Sequence, residues 1–142
     1  MIVVDTNVIS EPLRMHPEPA VLDWLRRHPQ VAVTAVSFGE MLRGAFQMPE
    51  GRRRDRMSAG IEAAMTRFDE RILPYGLDSA RVYARLHLSR RAAGRPLAIE
   101  DGMIAATAIA NGATAVATRD VRDFAGLGLE IINPWDAAPH NR

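Results

Sequence analysis

Short apolar runs alternate with longer helical stretches along this chain, and this alternation limits the folds open to it. Strands are predicted at residues 2–4, in "VAVTA" (31–35), within "RILPYG" (71–76), in "TAVAT" (114–118) and in "LEIIN" (129–133). Strands that alternate with helices are typical of an α/β fold with a parallel sheet. We therefore expect helices packed on a mostly parallel central sheet.

The helices are predicted from apolar periodicity and from residues that favour helix ends. A short helix disturbed by Pro12 is expected in "NVISEPLR", and a charged loop is expected at 48–56. Asp78 is the expected N-cap of the helix that ends near Gly94. The other helices are predicted at 17–29, at about 36–47, from the charged loop to about 70, at 78–94 and within 96–112.

The length and composition favour one compact domain over residues 1–142 without covalent cross-links. The chain contains no cysteine, so disulfides and thiolate zinc sites are excluded. All 18 basic residues are arginine, which suits phosphate binding, but the net charge of +1 does not demand a nucleic-acid partner. The N-terminus does not resemble a secretory signal, and no stretch reads as a membrane span. We expect a cytoplasmic protein.

Two predicted strands run directly into an acidic residue. Asp5 follows residues 2–4, and Asp120 comes two residues after "TAVAT". If these strands are parallel neighbours, both carboxylates lie at the carboxyl edge of the sheet, where open α/β sheets bind ligands. Alternatively, each acid caps the helix that follows it.

Two further acids can reach the same edge. Asp101 lies in the first turn of an apolar helix, where it either complements the helix dipole or faces a polar cleft or a cation. Glu40 lies away from the apolar stripe of its helix and, taken alone, is expected to pair with Arg43 at i+3. Converging carboxylates repel one another, so such a cluster needs protons or a cation. Oxygen ligands without cysteine or paired histidines suit Mg²⁺ or Mn²⁺.

Four segments of the chain, in order, resemble PIN-domain proteins. They are "VVDTNVISEPLR", "VSFGEMLRG", "EDGMIAATAIANG" and "VATRDVRDFAGLGLEIINPW", which together extend from residue 2 to about 136. The chain is most similar to the VapC-type toxins of bacterial toxin–antitoxin pairs, in the FitB-like branch. The resemblance implies a three-layer α/β/α fold and a Mg²⁺-dependent endoribonuclease.

The resemblance also assigns roles to individual residues. It places the acidic quartet on Asp5, Glu40, Asp101 and Asp120, and it makes Thr6, Asn7 and Thr118 supporting residues. The motif "TRDVRDF" departs from the family pattern, in which the last acid is the Asp before Phe. Asp123 therefore competes with Asp120 as the fourth acid, and we favour Asp120 because it lies closer to the strand end.

The partners implied are an RNA substrate, a small VapB-like antitoxin that covers the acidic site, and a second copy of the chain. DNA is expected only through the antitoxin, and no membrane contact is expected. Arg43 either contacts RNA or antitoxin, or only pairs with Glu40. One alternative is a non-catalytic module that acts with its antitoxin as a DNA-bound repressor. A haloacid-dehalogenase-type phosphotransferase is disfavoured, because position 7 is Asn where that family has a second Asp.

Overall fold

A five-stranded parallel sheet forms the centre of the computed structural model, which describes residues 1–136. The strand order is β3-β2-β1-β4-β5, and all four neighbouring pairs are parallel. The strands are β1 (Ile2–Val4), β2 (Ala32–Thr34), β3 (Ile72–Leu73), β4 (Ala115–Ala117) and β5 (Glu130–Ile132). The prediction of a mostly parallel sheet is confirmed.

Seven α-helices lie within residues 1–136 and connect the strands or follow them. They are α1 (Thr6–Ser10), α2 (Pro19–Arg27), α3 (Ala35–Phe46), α4 (Arg52–Phe68), α5 (Leu77–Ala92), α6 (Ile99–Ala110) and α7 (Val121–Phe124). A 3₁₀ turn at Glu11–Leu13 follows α1 directly, with Pro12 at its start, so the predicted disturbance of the first helix is confirmed.

The two faces of the sheet carry separate apolar cores. Val4, Val33 and Ala117 point into a core shared with α1 to α4. Val3, Ala32 and Val116 point into the other core, which contains residues of α6 and α7. Because successive strand residues point to opposite faces, three-residue strands suffice to line both cores. The three-layer α/β/α prediction is thus confirmed.

Two predicted helix starts are wrong. Asp78 lies inside the first turn of α5 and pairs with Arg81, whereas Gly76 is the N-cap. The helix α4 begins at Arg52, inside the segment predicted as a charged loop. Arginine has a high helix propensity, so a run of charges does not by itself indicate a loop. Gly94 does follow the end of α5, with φ of +69°, as its predicted capping role requires.

The parallel register of the central strands positions the acidic edge. Val4 of β1 is paired with Ala117 of β4, so the residues after each strand leave the sheet side by side. The backbone N–H of Asp5 continues the ladder by donating to the carbonyl of Ala117. The chain therefore brings Asp5 next to Thr118, and Asp120 follows two residues later.

No helix within residues 1–136 combines the length and the hydropathy that crossing a bilayer requires.

Close packing of α6 on α5 yields a stability prediction at Gly102. A Cβ at this position would lie 2.9 Å from Cε2 of Tyr83 and 3.0 Å from Cδ2 of Leu97. We expect Gly102→Ala to lower the free energy of unfolding by about 1–2 kcal/mol, because the overpacking outweighs the better helix propensity of alanine. Urea unfolding followed by circular dichroism measures the change.

Gly44 in α3 is the matched control, because no atom lies within 4 Å of an added Cβ there. Gly44→Ala should raise the free energy of unfolding by up to about 1 kcal/mol. Equal effects of the two substitutions would contradict the close α5–α6 contact.

Candidate active site at the carboxyl edge of the sheet

Asp5 is the buried centre of the candidate site, with only 3% of its surface exposed. Its Oδ2 accepts a hydrogen bond of 2.6 Å from the hydroxyl of Thr118, and its Oδ1 accepts one of 3.1 Å from the backbone N–H of Val8. Asp5 therefore caps α1, in agreement with the alternative prediction that this acid caps the helix that follows it. The same carboxylate also faces the other acids, so capping and membership of the site do not exclude each other.

Glu40 and Asp120 are held by Thr6 and Asn7, the two residues that follow Asp5. The hydroxyl of Thr6 donates to Oε1 of Glu40 at 2.8 Å, and Nδ2 of Asn7 donates to Oδ2 of Asp120 at 2.8 Å. The backbone N–H of Asp120 also donates to the Thr118 hydroxyl at 2.9 Å. The three supporting residues expected from the family resemblance thus contact three different acids.

Asp101 completes the expected quartet from the first turn of α6, where it is half-buried. Asp123, the competing fourth acid, lies in α7, and its backbone N–H donates to the carbonyl of Asp120. The charge of Asp123 raises the pKa of Asp101 more than the charge of Asp120 does. Both candidates for the fourth acid therefore lie at this edge, and Asp120 is the one that contacts Asn7.

Burial and mutual repulsion raise the pKa of two carboxyls in the cluster. Burial is the main reason why the pKa of Asp5 rises from 3.8 to about 6; the hydrogen bonds from Thr118 and Val8 oppose the rise, and the charges of Asp120 and Asp101 add to it. The pKa of Asp101 also rises to about 6, first through burial and then through the charges of Asp123, Glu40, Asp120 and Glu100. The acids are therefore close enough to sense one another, and any cation among them would relieve the repulsion.

The expected pairing of Glu40 with Arg43 is wrong. Glu40 faces α1 and accepts from Thr6, whereas Nη1 of Arg43 lies 3.3 Å from Oε1 of Glu100 in the first turn of α6. Helix α3 contacts α1 on one side and α6 on another, and this packing separates the two side chains. Since Arg43 and Glu100 are exposed, their salt bridge contributes little stability.

Arg90 near the end of α5 is a positioning residue that the sequence analysis missed. Arg90 is 7% exposed, and its guanidinium donates to the backbone carbonyls of Arg122 and Asp123. These contacts hold the segment that carries both candidate fourth acids. No local pattern distinguishes Arg90 from the neighbouring arginines, because only the folded chain brings α7 against the end of α5.

The donor set fits a hard divalent cation, although its side chains do not already surround one. Among residues 1–136, no three acidic or histidine side chains converge closely enough to hold an ion as arranged. Asp5, Glu40 and Asp120 instead each accept a hydrogen bond from a neighbouring side chain. Mg²⁺ commonly keeps several water ligands and uses only one or two carboxylates directly, so a loose cluster of oxygens suits it.

The fold is a parallel sheet between two layers of helices, with an acidic cluster at the carboxyl edge of the sheet. Comparison with known families identifies the class of protein that has this arrangement. Residues 2–128 match the PIN domain family. The chain therefore belongs to the PIN domain family, as the sequence motifs indicated.

Individual relatives are similar over almost the whole chain. The VapC ribonuclease Y4jK of Sinorhizobium fredii is 40% identical, over 97% of this chain and all of that protein. The toxin FitB of Neisseria gonorrhoeae is 36% identical, over 95% of this chain and 99% of that protein. Among solved structures, that of FitAB bound to an IR36 DNA fragment has a TM-score of 0.88 at 35% identity, and the match covers 99% of this chain and all of that chain.

The raised pKa of Asp5 predicts a pH-dependent stability. The pKa of Asp5 is higher in the folded protein than its ordinary value of 3.8, so the protonated carboxyl favours folding. This stabilisation is complete below pH 3.8 and is lost as the pH rises through about 6. Without divalent cations, raising the pH from about 4.5 to about 8 should stabilise Asp5→Asn relative to wild type by about 2 kcal/mol. Urea unfolding in EDTA at both pH values measures this change, and a difference that does not vary with pH would contradict the assignment.

Proposed function

We propose that this protein is the toxin of a type II toxin–antitoxin pair and acts in the cytoplasm as a Mg²⁺-dependent endoribonuclease. The single observation that carries the proposal is that Asp5, Glu40, Asp101 and Asp120 lie at the same edge of the sheet, near enough for their charges to raise the pKa of Asp5 and Asp101. Relatives named as a VapC ribonuclease and as a toxin support the same assignment.

Each acid has a role in this proposal that follows from its position. Asp5, at the centre of the site, and Asp101, in the first turn of α6, bind the cation directly. Glu40 and Asp120 are held by Thr6 and Asn7 and reach the ion through water. When bound, Mg²⁺, or Mn²⁺ in its place, supplies Lewis-acid activation of water and neutralises the charge of the phosphodiester. Without this positive charge, the carboxylates would repel the RNA.

The proposed partners are a VapB-like antitoxin and a second copy of this chain. An arginine of the antitoxin could neutralise the acidic cluster in place of the metal, because guanidinium pairs with carboxylates in a bidentate manner. Arg43 lies beside the cluster on the exposed surface, where it can contact RNA or the antitoxin after releasing Glu100. DNA binding is proposed only for the complex with the antitoxin, as the DNA-bound FitAB structure suggests.

A second candidate function is a non-catalytic module that acts with its antitoxin as a DNA-bound repressor. The DNA-bound FitAB structure favours a role of this kind. The two functions differ in a single measurement, since only a nuclease cleaves RNA without its antitoxin.

Metal removal tests the ribonuclease proposal directly. EDTA should stop cleavage of a single-stranded RNA by the purified protein, and Mg²⁺ or Mn²⁺ should restore it, because the carboxylates need a cation to accept a phosphodiester. Asp5→Asn should lower the cleavage rate at least about a hundredfold, which corresponds to about 2.7 kcal/mol of barrier.

Asp55→Asn, which removes an exposed acid of α4, is the matched control and should cleave at the wild-type rate. Full activity in EDTA, with the protein verified to be metal-free, would refute the mechanism. Absence of cleavage by the wild type in Mg²⁺ would favour the repressor.

The choice between Asp120 and Asp123 requires its own pair of variants. Asp120 contacts Asn7 and raises the pKa of the central Asp5, so we expect Asp120→Asn to lose at least about a hundredfold in cleavage rate at saturating Mg²⁺. Asp123→Asn should keep most of the activity, with folding of both variants verified by circular dichroism. The reverse result would assign the role to Asp123, in agreement with the more common family motif.

A further inference from the structure

A second cleft lies beside the acidic cluster and is chemically different from it. It encloses about 460 Å³, and Asn7 and Asp120 form the wall that it shares with the cluster. Its lining also includes two arginines, an acid and an aromatic ring, those of Arg14, Arg119, Glu11 and Trp135. A chain bound across the acids therefore continues into a cleft that offers arginine and aromatic side chains.

A buried carboxylate fixes the position of Arg14 in this cleft. Glu11 is only 3% exposed, and both of its oxygens lie 3.3 Å from Nη1 of Arg14. Oε1 of Glu11 also accepts from the backbone N–H of Glu18, at 2.9 Å. Among residues 1–136, Arg14 uses no other nitrogen in a hydrogen bond, so the rest of its guanidinium is available to a ligand.

Arg119 lies on the ring of Trp135, with Cζ 5.1 Å from the ring centroid. It makes no hydrogen bond or salt bridge with any residue of the 1–136 segment. A cation–π contact holds the side chain in place but leaves its N–H groups free for an anion. Arg119 also directly precedes Asp120, so a phosphate held here would lie next to the proposed cleavage site.

We propose that this cleft binds the nucleotide adjacent to the scissile phosphate, with the neighbouring phosphate on Arg119 and Arg14 and the base stacked on Trp135. The inference rests on the proposed ribonuclease function and adds a substrate subsite to it. Trp135 is partly buried against the core, and the rest of its ring lines the cleft. Proteins that bind single-stranded nucleic acids combine cationic side chains for the backbone with aromatic rings for the bases. Stacking accepts any base, so the cleft contributes affinity and register without strong sequence preference.

The free guanidinium of Arg119 favours RNA over an arginine-bearing protein segment as the occupant of the cleft. Glu11 pairs with Arg14 and Asp120 accepts from Asn7, so within residues 1–136 Arg119 is the lining arginine that has no carboxylate partner. This exposed guanidinium would repel another arginine but attract a phosphate.

The test uses Arg119 and Trp135, because substituting Arg14 would leave Glu11 buried without its cation. In the Asp5→Asn background, binding of a fluorescein-labelled single-stranded oligoribonucleotide of mixed sequence is measured by anisotropy in Mg²⁺ over a range of salt. Arg119→Gln should weaken binding about fivefold to tenfold and reduce the salt slope by about one. Trp135→Leu should weaken binding about tenfold, and Trp135→Phe should retain most of the affinity.

A spectroscopic readout reports on Trp135 itself. The chain has two tryptophans, and Trp24 is buried in the core. In a Trp24→Phe protein, the remaining fluorescence should be quenched by the oligoribonucleotide, and Arg119→Gln should shift that titration to higher RNA concentration. Arg85→Gln, which removes an exposed charge on α5, is the matched control and should bind RNA as the parent does.

The outcomes separate this inference from the proposed function. If Arg119→Gln and Trp135→Leu bind and cleave RNA like their parents while Asp5→Asn is inactive, the subsite is refuted and the ribonuclease proposal remains. If Asp5→Asn cleaves at the wild-type rate, the ribonuclease proposal fails, whatever the cleft binds. If the two cleft variants keep RNA affinity but lose binding to the cognate antitoxin, the cleft belongs to the protein partner and the inference is overturned.

Discussion

The hydrogen bond from Thr118 to Asp5 joins the ends of the two central strands, and the candidate site is arranged around it. The two residues are 113 positions apart in the chain, and both are buried. A buried carboxylate is costly unless it is hydrogen-bonded, so this contact, together with the Val8 amide, makes the position of Asp5 tolerable. The residues that follow, Thr6 and Asn7, then hold Glu40 and Asp120.

The acidic edge destabilises the protein and is held in place by the rest of the fold. Raised pKa values at Asp5 and Asp101 mean that ionising them at neutral pH opposes folding. Contacts outside the cluster hold the segments that carry the acids, such as those of the buried Arg90 with the carbonyls of Arg122 and Asp123. Such a conflict between stability and charge is common at functional sites, where perturbed pKa values cluster.

The acidic cluster and the neighbouring cleft have different roles in the proposed function. The carboxylates favour a cation, whereas Arg14 and Arg119 favour the anion that follows the scissile phosphate along the RNA. Asn7 and Asp120 form the boundary, so the same hydrogen bond that orients an acid of the cluster also shapes the wall of the neighbouring cleft. In this proposal, the active site and the subsite share one short segment after β1 and another after β4.

The sequence by itself determined the elements and the parallel α/β/α class, because strand and helix periodicities are local properties that the chain displays directly. It also indicated that Asp5 and Asp120 reach the sheet edge, since parallel strands end at the same side, whereas Glu40 and Asp101 were assigned to that edge through the family resemblance. Side-chain pairing was decided only by the tertiary structure. Arg43 pairs with Glu100 rather than with Glu40, and Arg90 holds a segment 32 residues away. Helix packing brings such partners together from distant parts of the chain, so the spacing of residues in the sequence does not predict them.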